Sequence, residues 1–219
     1  MRVDVLSTEL SLSRDRAIAL AEDLQDRAGT AVVAQELSDG VEQRTAEVTL
    51  SALDAAGLGG RSGANEIAIR AMGSFILREH ELFDGAVELL ETAGELELRT
   101  VIVSNTFWLD ARGLVRYFEE AGVGPLIHEA TTSLDVGYRK PHLAMFDKGI
   151  RLAECAADEC VFIGNSEGKD IEPAAALGMR TIRVCIEEPP PETSRADAVV
   201  TSLGEASDVL RSWTSSVSD

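Results

Sequence analysis

The sequence is poor in cysteine and in aromatic residues. Only 3 of its 219 residues are cysteine, and Phe, Trp and Tyr together make up 5%. The number of cysteines is odd, and "CAADEC", which contains Cys155 and Cys160, lacks the two-residue gap of zinc and redox pairs. The pattern therefore argues against a disulfide framework or a zinc site. It favours reduced thiols, Cys185 included, in a cytoplasmic protein.

Positive charge is also scarce, with 20 Lys and Arg residues against 38 Asp and Glu, a formal net charge of −18. Nucleic acids and anionic membranes are polyanions, so we expect neither as a partner. No apolar run approaches the length of a membrane span. The opening "MRVDVLSTEL" also lacks the basic start and the apolar stretch of a signal peptide.

The 45% of hydrophobic residues are enough for a full core, and their spacing predicts two kinds of structure. Residues 13–80 follow a helical period, with Ser13 as the N-cap and Gly29 as the end of the first helix. From residue 81 onward, apolar strands alternate with helices. This alternation predicts an α/β fold, a Rossmann-like parallel sheet with helices on both faces. We expect residues 1–12, which begin with a short strand, and 81–219 to form this core, and residues 13–80 to form an inserted all-helical cap.

Polar side chains follow three of the predicted strands. "VIVSNT" ends in Ser104 and Asn105, "GYRKPH" provides Lys140 just before a helix, and "FIGNSEGKD" provides Asn165 and Asp170. Strand ends of a parallel sheet meet at one crevice. A hydroxyl, an amide and an ammonium there suit a compact oxyanion such as phosphate or carboxylate. Trp108, close to the first of these strands, is a further candidate for the wall of a ligand pocket.

From residue 82 to 212 the chain resembles the haloacid dehalogenase (HAD) superfamily. Its second, third and fourth motifs resemble "VIVSNT", "GYRKPHLAMFDKGI" and "VFIGNSEGKDIEPAAALGMRTI". The resemblance implies a HAD-like hydrolase with a helical cap. Most members are magnesium-dependent phosphohydrolases, and others cleave carbon–halogen bonds or isomerise sugar phosphates. By resemblance, Ser104 holds the transferred group, Lys140 neutralises the nucleophile and its adduct, and Asp170 lies in or near the metal shell.

The first motif of the family, D-x-D-G-T at the end of strand one, is degenerate in "MRVDVLSTELSLS". In one register Asp4 is the nucleophile, Ser7 replaces the Gly, Thr8 keeps the Thr, and Leu6 occupies the position of the general acid. This register leaves only Met1 to Val3 as the strand before the nucleophile. In the other register Ser7 replaces the nucleophile and Glu9 the acid, after a strand of ordinary length, "RVDVL", that contains Asp4. Asp4 is also compatible with a plain exposed charge on an edge of the sheet, and the sequence leaves these alternatives open.

The fourth motif departs from the family as well, because Asn165 stands where the family has its first acid. Magnesium prefers hard anionic oxygens, and an amide oxygen is a poorer ligand than a carboxylate. We therefore expect no required cofactor and only a weak or lost Mg²⁺ site, with Asp170 as its remaining ligand and Glu167 as a possible substitute. The residues expected to contact the substrate are Ser7, Thr8, Asn105, Trp108 and Asn165.

These observations predict a HAD-like protein that binds a small anionic metabolite, phosphorylated or carboxylated, with weak or no magnesium-dependent phosphatase turnover. One alternative is an active metal-independent hydrolase of the dehalogenase type, with Asp4 as nucleophile. A further alternative is a structural or interaction partner of a biosynthetic enzyme. In that case the cap helices are the expected surface for a homodimer or a protein partner.

Overall fold

The computed structural model describes residues 2–36, 45–79, 82–186 and 188–215. Its helices are α1 (Arg2–Glu9), α2 (Arg14–Glu36), α3 (Thr45–Ala55), α4 (Ala64–Glu79), α5 (Ala86–Glu95), α6 (Ala111–Glu120), α7 (Ser133–Val136), α8 (Leu143–Ala153), α9 (Glu172–Ala176) and α10 (Leu203–Ser215). Its strands are β1 (Val101–Ser104), β2 (Glu129–Thr132), β3 (Val161–Gly164), β4 (Arg180–Val184) and β5 (Ala198–Val200). The fold is α/β, as the alternation of elements predicts. Within the described ranges, none of the helices has both the length and the apolar character that a bilayer-crossing segment needs.

The N-terminal helices pack around an apolar cluster rich in alanine and leucine. Helix α2 begins after Ser13, whose Oγ accepts a hydrogen bond from the Arg16 N–H at 3.4 Å, as expected of an N-cap. The predicted end at Gly29 is wrong, because α2 continues to Glu36. Ala28 and Ala31 lie buried on either side of Gly29, so the apolar face of the helix continues through the glycine.

The predicted first strand is wrong as well, because residues 2–9 form helix α1. Leu6 and Leu10, four residues apart, lie on one helical face and are fully buried in the same apolar cluster as α2 and α4. Val3, three residues before Leu6, packs against the same cluster, whereas a strand would send side chains three residues apart to opposite faces. The chain turns at Ser11, whose φ is 48°, before α2 begins.

The chain forms two compact units whose boundaries differ from the expected ones. The first comprises Met1–Glu81, Asn105–Gly113 and Thr132–Arg139, and the second comprises Leu82–Ser104, Leu114–Thr131 and Lys140–Asp219. Residues 2–12 thus belong to the same unit as the N-terminal helices. The segment Asn105–Gly113 joins this unit through the Phe107 and Trp108 rings, which are buried in its apolar cluster. The segment Thr132–Arg139 is linked to it by hydrogen bonds from Ser133 and Arg139 to Thr106.

The described strands fall into two sheets, β1–β2 and β3–β4–β5. In the second sheet the strands are parallel, with Phe162 opposite Thr181 and Ile182 opposite Ala198. Strand β4 has a partner on both sides and contributes the buried Ile182 and Val184 to the core. By contrast, all residues of β1 and β3 are only half-buried, although "VIVS" and "VFIG" predict buried strands.

Candidate functional site

A lysine–aspartate pair lies at the carboxyl ends of β1 and β3. The Lys140 ammonium is 2.8 Å from Oδ1 of Asp170, with side-chain exposures of 14% and 6%. The same ammonium donates a hydrogen bond to the Val103 carbonyl oxygen at 2.9 Å and lies 5.5 Å from the centre of the Phe162 ring. The structure therefore brings Lys140 and Asp170 together beside the end of β1, which is where the polar strand ends were expected to meet.

Asp170 is held in place by the turn that follows β3. Ser166 donates its backbone N–H to Oδ2 of Asp170 at 3.0 Å, and the Ser166 hydroxyl accepts the N–H of Lys169 at 3.3 Å. This π-helical turn, Glu167–Ile171, folds back on Gly164, where an added Cβ would lie 2.5 Å from the Asp170 Cβ. Glycine at the end of β3 is thus required for the carboxylate to approach the strand.

Oδ1 of Asp170 is buried and faces the ammonium of Lys140 at 2.8 Å. No other donor is recorded for this oxygen among the described residues. A buried carboxylate oxygen of this kind favours a positive charge beside it, and Lys140 supplies one.

The other predicted residues at the strand ends differ in their surroundings. Ser104 is half-buried as the last residue of β1, directly after Val103, whose carbonyl binds the lysine. Asn165 is exposed and immediately follows β3. Asn105 is half-buried and belongs to the segment that packs with the first unit. Ser104, Lys140 and Asp170 therefore remain together as parts of the second unit.

Trp108 occupies a core position in the first unit. Its side chain is 7% exposed and packs edge-on against Phe107, with the ring centroids 4.8 Å apart. The Thr45 hydroxyl donates to the Phe107 carbonyl at 2.7 Å, and an added Cβ on Gly73 would lie 2.9 Å from the Trp108 carbonyl oxygen. Core packing accounts for both rings, so the placement of Trp108 gives no support to the predicted ligand contact.

The candidate residues of the first motif lie on α1 and not at the end of a strand. Asp4 is exposed and pairs with Arg14 at 3.2 Å. The Ser7 hydroxyl donates to the Leu12 carbonyl at 2.8 Å, and Thr8 is exposed. Glu9, the acid of the second register, pairs with Arg70. Both registers place the nucleophile at the end of a strand. Residues 2–9 form helix α1 instead, so neither register has the strand that it requires.

Glu167, the possible substitute metal ligand, is engaged in a separate network. Its carboxylate accepts hydrogen bonds from Arg183 Nη1 at 2.8 Å, the Ser194 hydroxyl at 2.6 Å and the Arg195 N–H at 2.7 Å. Burial alone would raise the pKa of Glu167, but these hydrogen bonds and the Arg183 charge outweigh it and hold the pKa below its usual value. The network ties the turn after β3 to β4 and to the loop before β5.

The residues at these strand ends do not fit an octahedral magnesium ion. Within the described ranges no group of three or more His, Cys, Asp or Glu side chains is placed to hold a metal. The single buried carboxylate, that of Asp170, already faces an ammonium, and the neighbouring Asn165 offers only an amide oxygen. Magnesium is usually held by one or two carboxylates together with substrate phosphates and waters, and the carboxylate of Asp170 is here already paired with an ammonium.

A polar cluster in the first unit was missed in the sequence. The Ser133 hydroxyl donates to the Thr106 carbonyl at 2.7 Å and accepts the Thr106 N–H at 3.1 Å, and the buried Arg139 also donates to that carbonyl at 3.3 Å. Asp135 and Thr132 form a capping box at the start of α7. The spacing T-x-x-D is the signal that predicts this box. The hydrogen bonds between Ser133 and Thr106 join residues 27 positions apart, and no short sequence pattern predicts them.

The parallel strands, the polar strand ends and the helical block define a HAD-type α/β protein. The model of the haloacid dehalogenase-like hydrolase family matches residues 11–178, and the chain belongs to this family. The helical block is the cap of this fold, so the expected Rossmann-like α/β fold with an all-helical cap is confirmed.

Similar proteins of known name include phosphatases of small sugar phosphates. The chain is 33% identical over 92 residues to a glyceraldehyde 3-phosphate phosphatase from Methanocaldococcus jannaschii, a match that covers 41% of this chain and 40% of the relative. It is 28% identical over 146 residues to a ribulose-1,5-bisphosphate 5-phosphatase from Halopiger xanaduensis, a match that covers 63% of this chain and 60% of the relative. The chain thus matches less than two thirds of the length of either relative.

Solved structures of HAD proteins resemble most of the chain in fold. A HAD phosphatase from Thermococcus onnurineus superposes with a TM-score of 0.61 at 17% identity, over 95% of this chain and 86% of that one. A 2-haloacid dehalogenase from Pseudomonas syringae pv. Tomato superposes with a TM-score of 0.62 at 22% identity, over 88% of this chain and 81% of that one. At these identities the likeness shows the shared fold and does not distinguish a phosphatase from a dehalogenase.

Proposed function

We propose that this HAD-like protein binds a small phosphorylated or carboxylated metabolite beside Ser104 and Lys140, and that it hydrolyses phosphate esters with magnesium weakly or not at all. One observation carries the proposal: the strand ends hold a fixed lysine ammonium with one carboxylate, Asp170, 2.8 Å away. The nucleophile candidate Asp4 lies on a helix of the first unit.

The ligand class follows from charge and size. Lys140 is half-buried, and its ammonium donates to the carbonyl of Val103, the residue before Ser104. An ammonium at such a strand end favours a compact anion. The matched relatives are named for glyceraldehyde 3-phosphate and ribulose bisphosphate, both small phosphate esters. A phosphorylated three- to five-carbon metabolite is therefore the first ligand to examine.

The weak turnover follows from the charges around the site. At about 4 Å two unit charges interact by about 4 kcal/mol near a protein surface. A phosphate dianion beside Asp170 meets such a repulsion, and the single ammonium of Lys140 offsets only part of it. Without further carboxylates to hold a divalent cation, the dianion lacks the neutralisation that hydrolysis by an aspartate nucleophile requires.

The test combines binding and turnover. We expect inorganic phosphate or glyceraldehyde 3-phosphate to bind in isothermal calorimetry, with at least a tenfold loss of affinity in Lys140→Met and little change in the control Lys148→Met. We expect aryl phosphates with magnesium to be hydrolysed slowly or not at all. Robust magnesium-dependent turnover that Asp4→Asn abolishes would overturn the proposal of eroded chemistry.

The alternatives have their own assays. A metal-independent hydrolase of the dehalogenase type requires Asp4 at a strand end, which helix α1 does not favour. Halide release from 2-haloacids that is insensitive to chelator would restore that alternative. A homodimer or a protein partner bound through the cap helices stays a prediction, and light scattering after size exclusion measures it directly.

A further inference from the structure

Two cysteine side chains meet in the second unit. The Sγ atoms of Cys155 and Cys160 lie 3.3 Å apart. We propose that this pair, called the dithiol below, is a reversible oxidation site. A small-molecule disulfide of the glutathione type converts the dithiol to an intramolecular disulfide, which ties the end of α8 to the start of β3.

The backbone between the two cysteines is a closed turn. Glu154, with a left-handed φ of 61°, redirects the chain after α8. The Ala156 N–H donates to the Glu159 carboxylate at 2.8 Å, and the Glu159 N–H donates to the Ala156 carbonyl at 3.1 Å. This reciprocal pair closes the turn and leaves Cys155 and Cys160 at its two ends. Folded backbone thus brings together two thiols whose spacing in "CAADEC" does not predict a redox pair.

The distance between the sulfurs is that of two reduced thiols in contact. The sulfurs of a disulfide are about 2.05 Å apart, so the two thiols are about 1.3 Å from bonding distance. Cys155 lies outside both α8 and β3, and Cys160 immediately precedes β3. Since neither residue is inside a helix or a strand, small rotations of the side chains and the turn are sufficient to close this gap.

The dithiol differs in exposure from the third cysteine. Cys155 and Cys160 are half-buried, whereas Cys185 is buried, with an exposure of 8%. Thiol–disulfide exchange requires that the reagent reach the attacking sulfur. The dithiol therefore meets this requirement, and Cys185 provides an internal control in the same chain.

The surroundings of the two sulfurs assign the order in which they react. The Cys160 thiol donates to the Ala156 carbonyl at 3.3 Å. Burial raises the pKa of Cys160 to about 12, together with the neighbouring Cys155 and the carboxylates of Glu159 and Asp158. The thiolate is the nucleophile in exchange, and that of Cys160 is scarce near neutral pH. Cys155 is therefore the first to attack, and Cys160 completes the reaction.

The oxidation consists of two exchange steps. The Cys155 thiolate attacks one sulfur of the small disulfide, whose S–S bond breaks, and the released thiolate takes up the proton that Cys155 lost. Cys155 is then uncharged, which removes its charge as a cause of the raised Cys160 pKa. Cys160 next loses its proton and attacks Sγ of Cys155, and the second small thiol leaves with that proton. In total, two electrons pass from the dithiol to the small disulfide, which becomes two thiols.

The new bond joins two elements that are already in contact. Helix α8 packs on β3 through the Phe146 and Phe162 rings, whose centroids are 5.0 Å apart. Lys140 precedes α8 and Asp170 follows β3, so the candidate oxyanion site lies beyond the opposite ends of both elements. The oxidation site and the oxyanion site are therefore independent, and the failure of one proposal would leave the other standing.

The test oxidises the folded full chain with glutathione disulfide, blocks the remaining thiols and digests the product with trypsin. Residues 152–169 form one tryptic peptide that contains the whole dithiol. We expect this peptide to lose the mass of two hydrogen atoms, dithiothreitol to restore them, and Cys185 to stay reduced. An unchanged peptide in the folded chain, or one that carries only bound glutathione, would overturn the proposal.

A synthetic peptide of the same residues, LAECAADECVFIGNSEGK, separates the effect of the fold from that of the spacing. In glutathione redox buffers we expect the equilibrium constant for disulfide formation to be at least tenfold larger in the folded chain, because the turn holds the sulfurs together. Equal constants, or a larger constant in the free peptide, would show that the fold builds no oxidation site.

Single-cysteine variants identify the attacking sulfur. Cys160→Ser should accumulate a mixed disulfide of Cys155 with glutathione, because no second thiol displaces the small molecule. Cys155→Ser should react with glutathione disulfide about threefold or more slowly than Cys160→Ser, since the Cys160 thiolate is scarce. Cys185→Ser is the matched control and should form the intramolecular disulfide as the wild type does. Circular dichroism verifies that each variant is folded, and a faster reaction of Cys155→Ser would contradict the order of attack.

Discussion

At the scale of single residues, the site depends on a buried ion pair whose two partners need each other. Lys140 and Asp170 have side-chain exposures of only 14% and 6%. Removing both charges from water costs several kcal/mol, and their mutual attraction repays this only while both are present. The pair therefore stabilises the strand ends weakly as a whole, although the loss of either member alone is costly.

We predict that Lys140→Met lowers the free energy of unfolding by about 3 kcal/mol or more, because it leaves Asp170 buried without a counter-charge. The double variant Lys140→Met/Asp170→Asn should lose clearly less, since no charge is then left unpaired. Urea titrations of the single and double variants measure the coupling. Lys148→Met, on α8, is the control and should stay within about 0.5 kcal/mol. A loss at Lys140 no larger than that at Lys148 would contradict the ion pair.

At the scale of elements, the turn after β3 depends on a close approach between backbone and carboxylate. The position of an added Cβ on Gly164 lies 2.5 Å from the Asp170 Cβ and 2.6 Å from its Cγ. Atoms cannot approach so closely, so any side chain at this position must displace either the end of the strand or the aspartate.

We predict that Gly164→Ala destabilises the protein by about 1–3 kcal/mol through this overlap. Gly168→Ala, in the same turn, is the matched control, since an added Cβ there meets no atom within 4 Å. Chemical denaturation measures the free energy of unfolding of both variants, and we expect that of Gly168→Ala to be close to the wild-type value. In a double variant, Asp170→Gly should recover part of the loss caused by Gly164→Ala. Equal stabilities of the two alanine variants would show that the turn is not packed as described.

The Glu167 network gives the same turn a pH dependence. The pKa of Glu167 is lower in the folded protein than its ordinary value of 4.5, so folding favours the charged carboxylate. The resulting stability is fully present above the ordinary pKa and is lost as the pH falls through the lower folded pKa.

We predict that Glu167→Gln costs about 1–2 kcal/mol at pH 7, because three hydrogen bonds to a carboxylate are weakened. The difference from wild type should shrink as the pH falls from about 4.5, the ordinary pKa, through the lower pKa at which the folded carboxylate becomes protonated. Thermal denaturation from pH 3.5 to 7 measures this difference. Glu188→Gln, an exposed change of the same kind, controls for the loss of one acid. A difference that grows on acidification would have the wrong sign.

At the scale of the whole molecule, the excess of acidic residues opposes compaction. The formal net charge is −18 at pH 7, and the calculated isoelectric point is about 4.5. Like charges spread over the surface repel one another, and salt screens this repulsion over distances beyond the Debye length, about 10 Å at 0.1 M.

We predict that raising sodium chloride from 20 to 500 mM at pH 7 raises the Tm by about 2–5 °C. The same salt step at pH 4.5, close to the isoelectric point, should have a much smaller effect, which makes that pH the control. Differential scanning calorimetry measures both. A fall in Tm with salt at pH 7 would indicate that local ion pairs such as that of Lys140 and Asp170 outweigh the general repulsion.

The sequence by itself determined the elements that local patterns specify. Helical spacing of apolar residues predicted the N-terminal block, and the apolar runs before the polar residues of "VIVSNT" and "FIGNSEGKD" predicted β1 and β3. The motifs around Ser104, Lys140 and Asp170 were sufficient to identify the HAD superfamily. Each of these signals depends on residues close together in the chain, where side-chain periodicity and capping act directly.

The tertiary structure decided those features that depend on contacts between residues far apart in the sequence. "RVDVL" has the composition of a strand, yet burial of Leu6 and Leu10 against α2 and α4 makes it a helix. The sequence allowed Glu167 as a metal ligand. In the structure its carboxylate instead accepts hydrogen bonds from Arg183 and Ser194, which are 16 and 27 residues away in the chain. Long-range burial and hydrogen bonding decide between local conformations of similar free energy, and no short stretch of sequence contains that information.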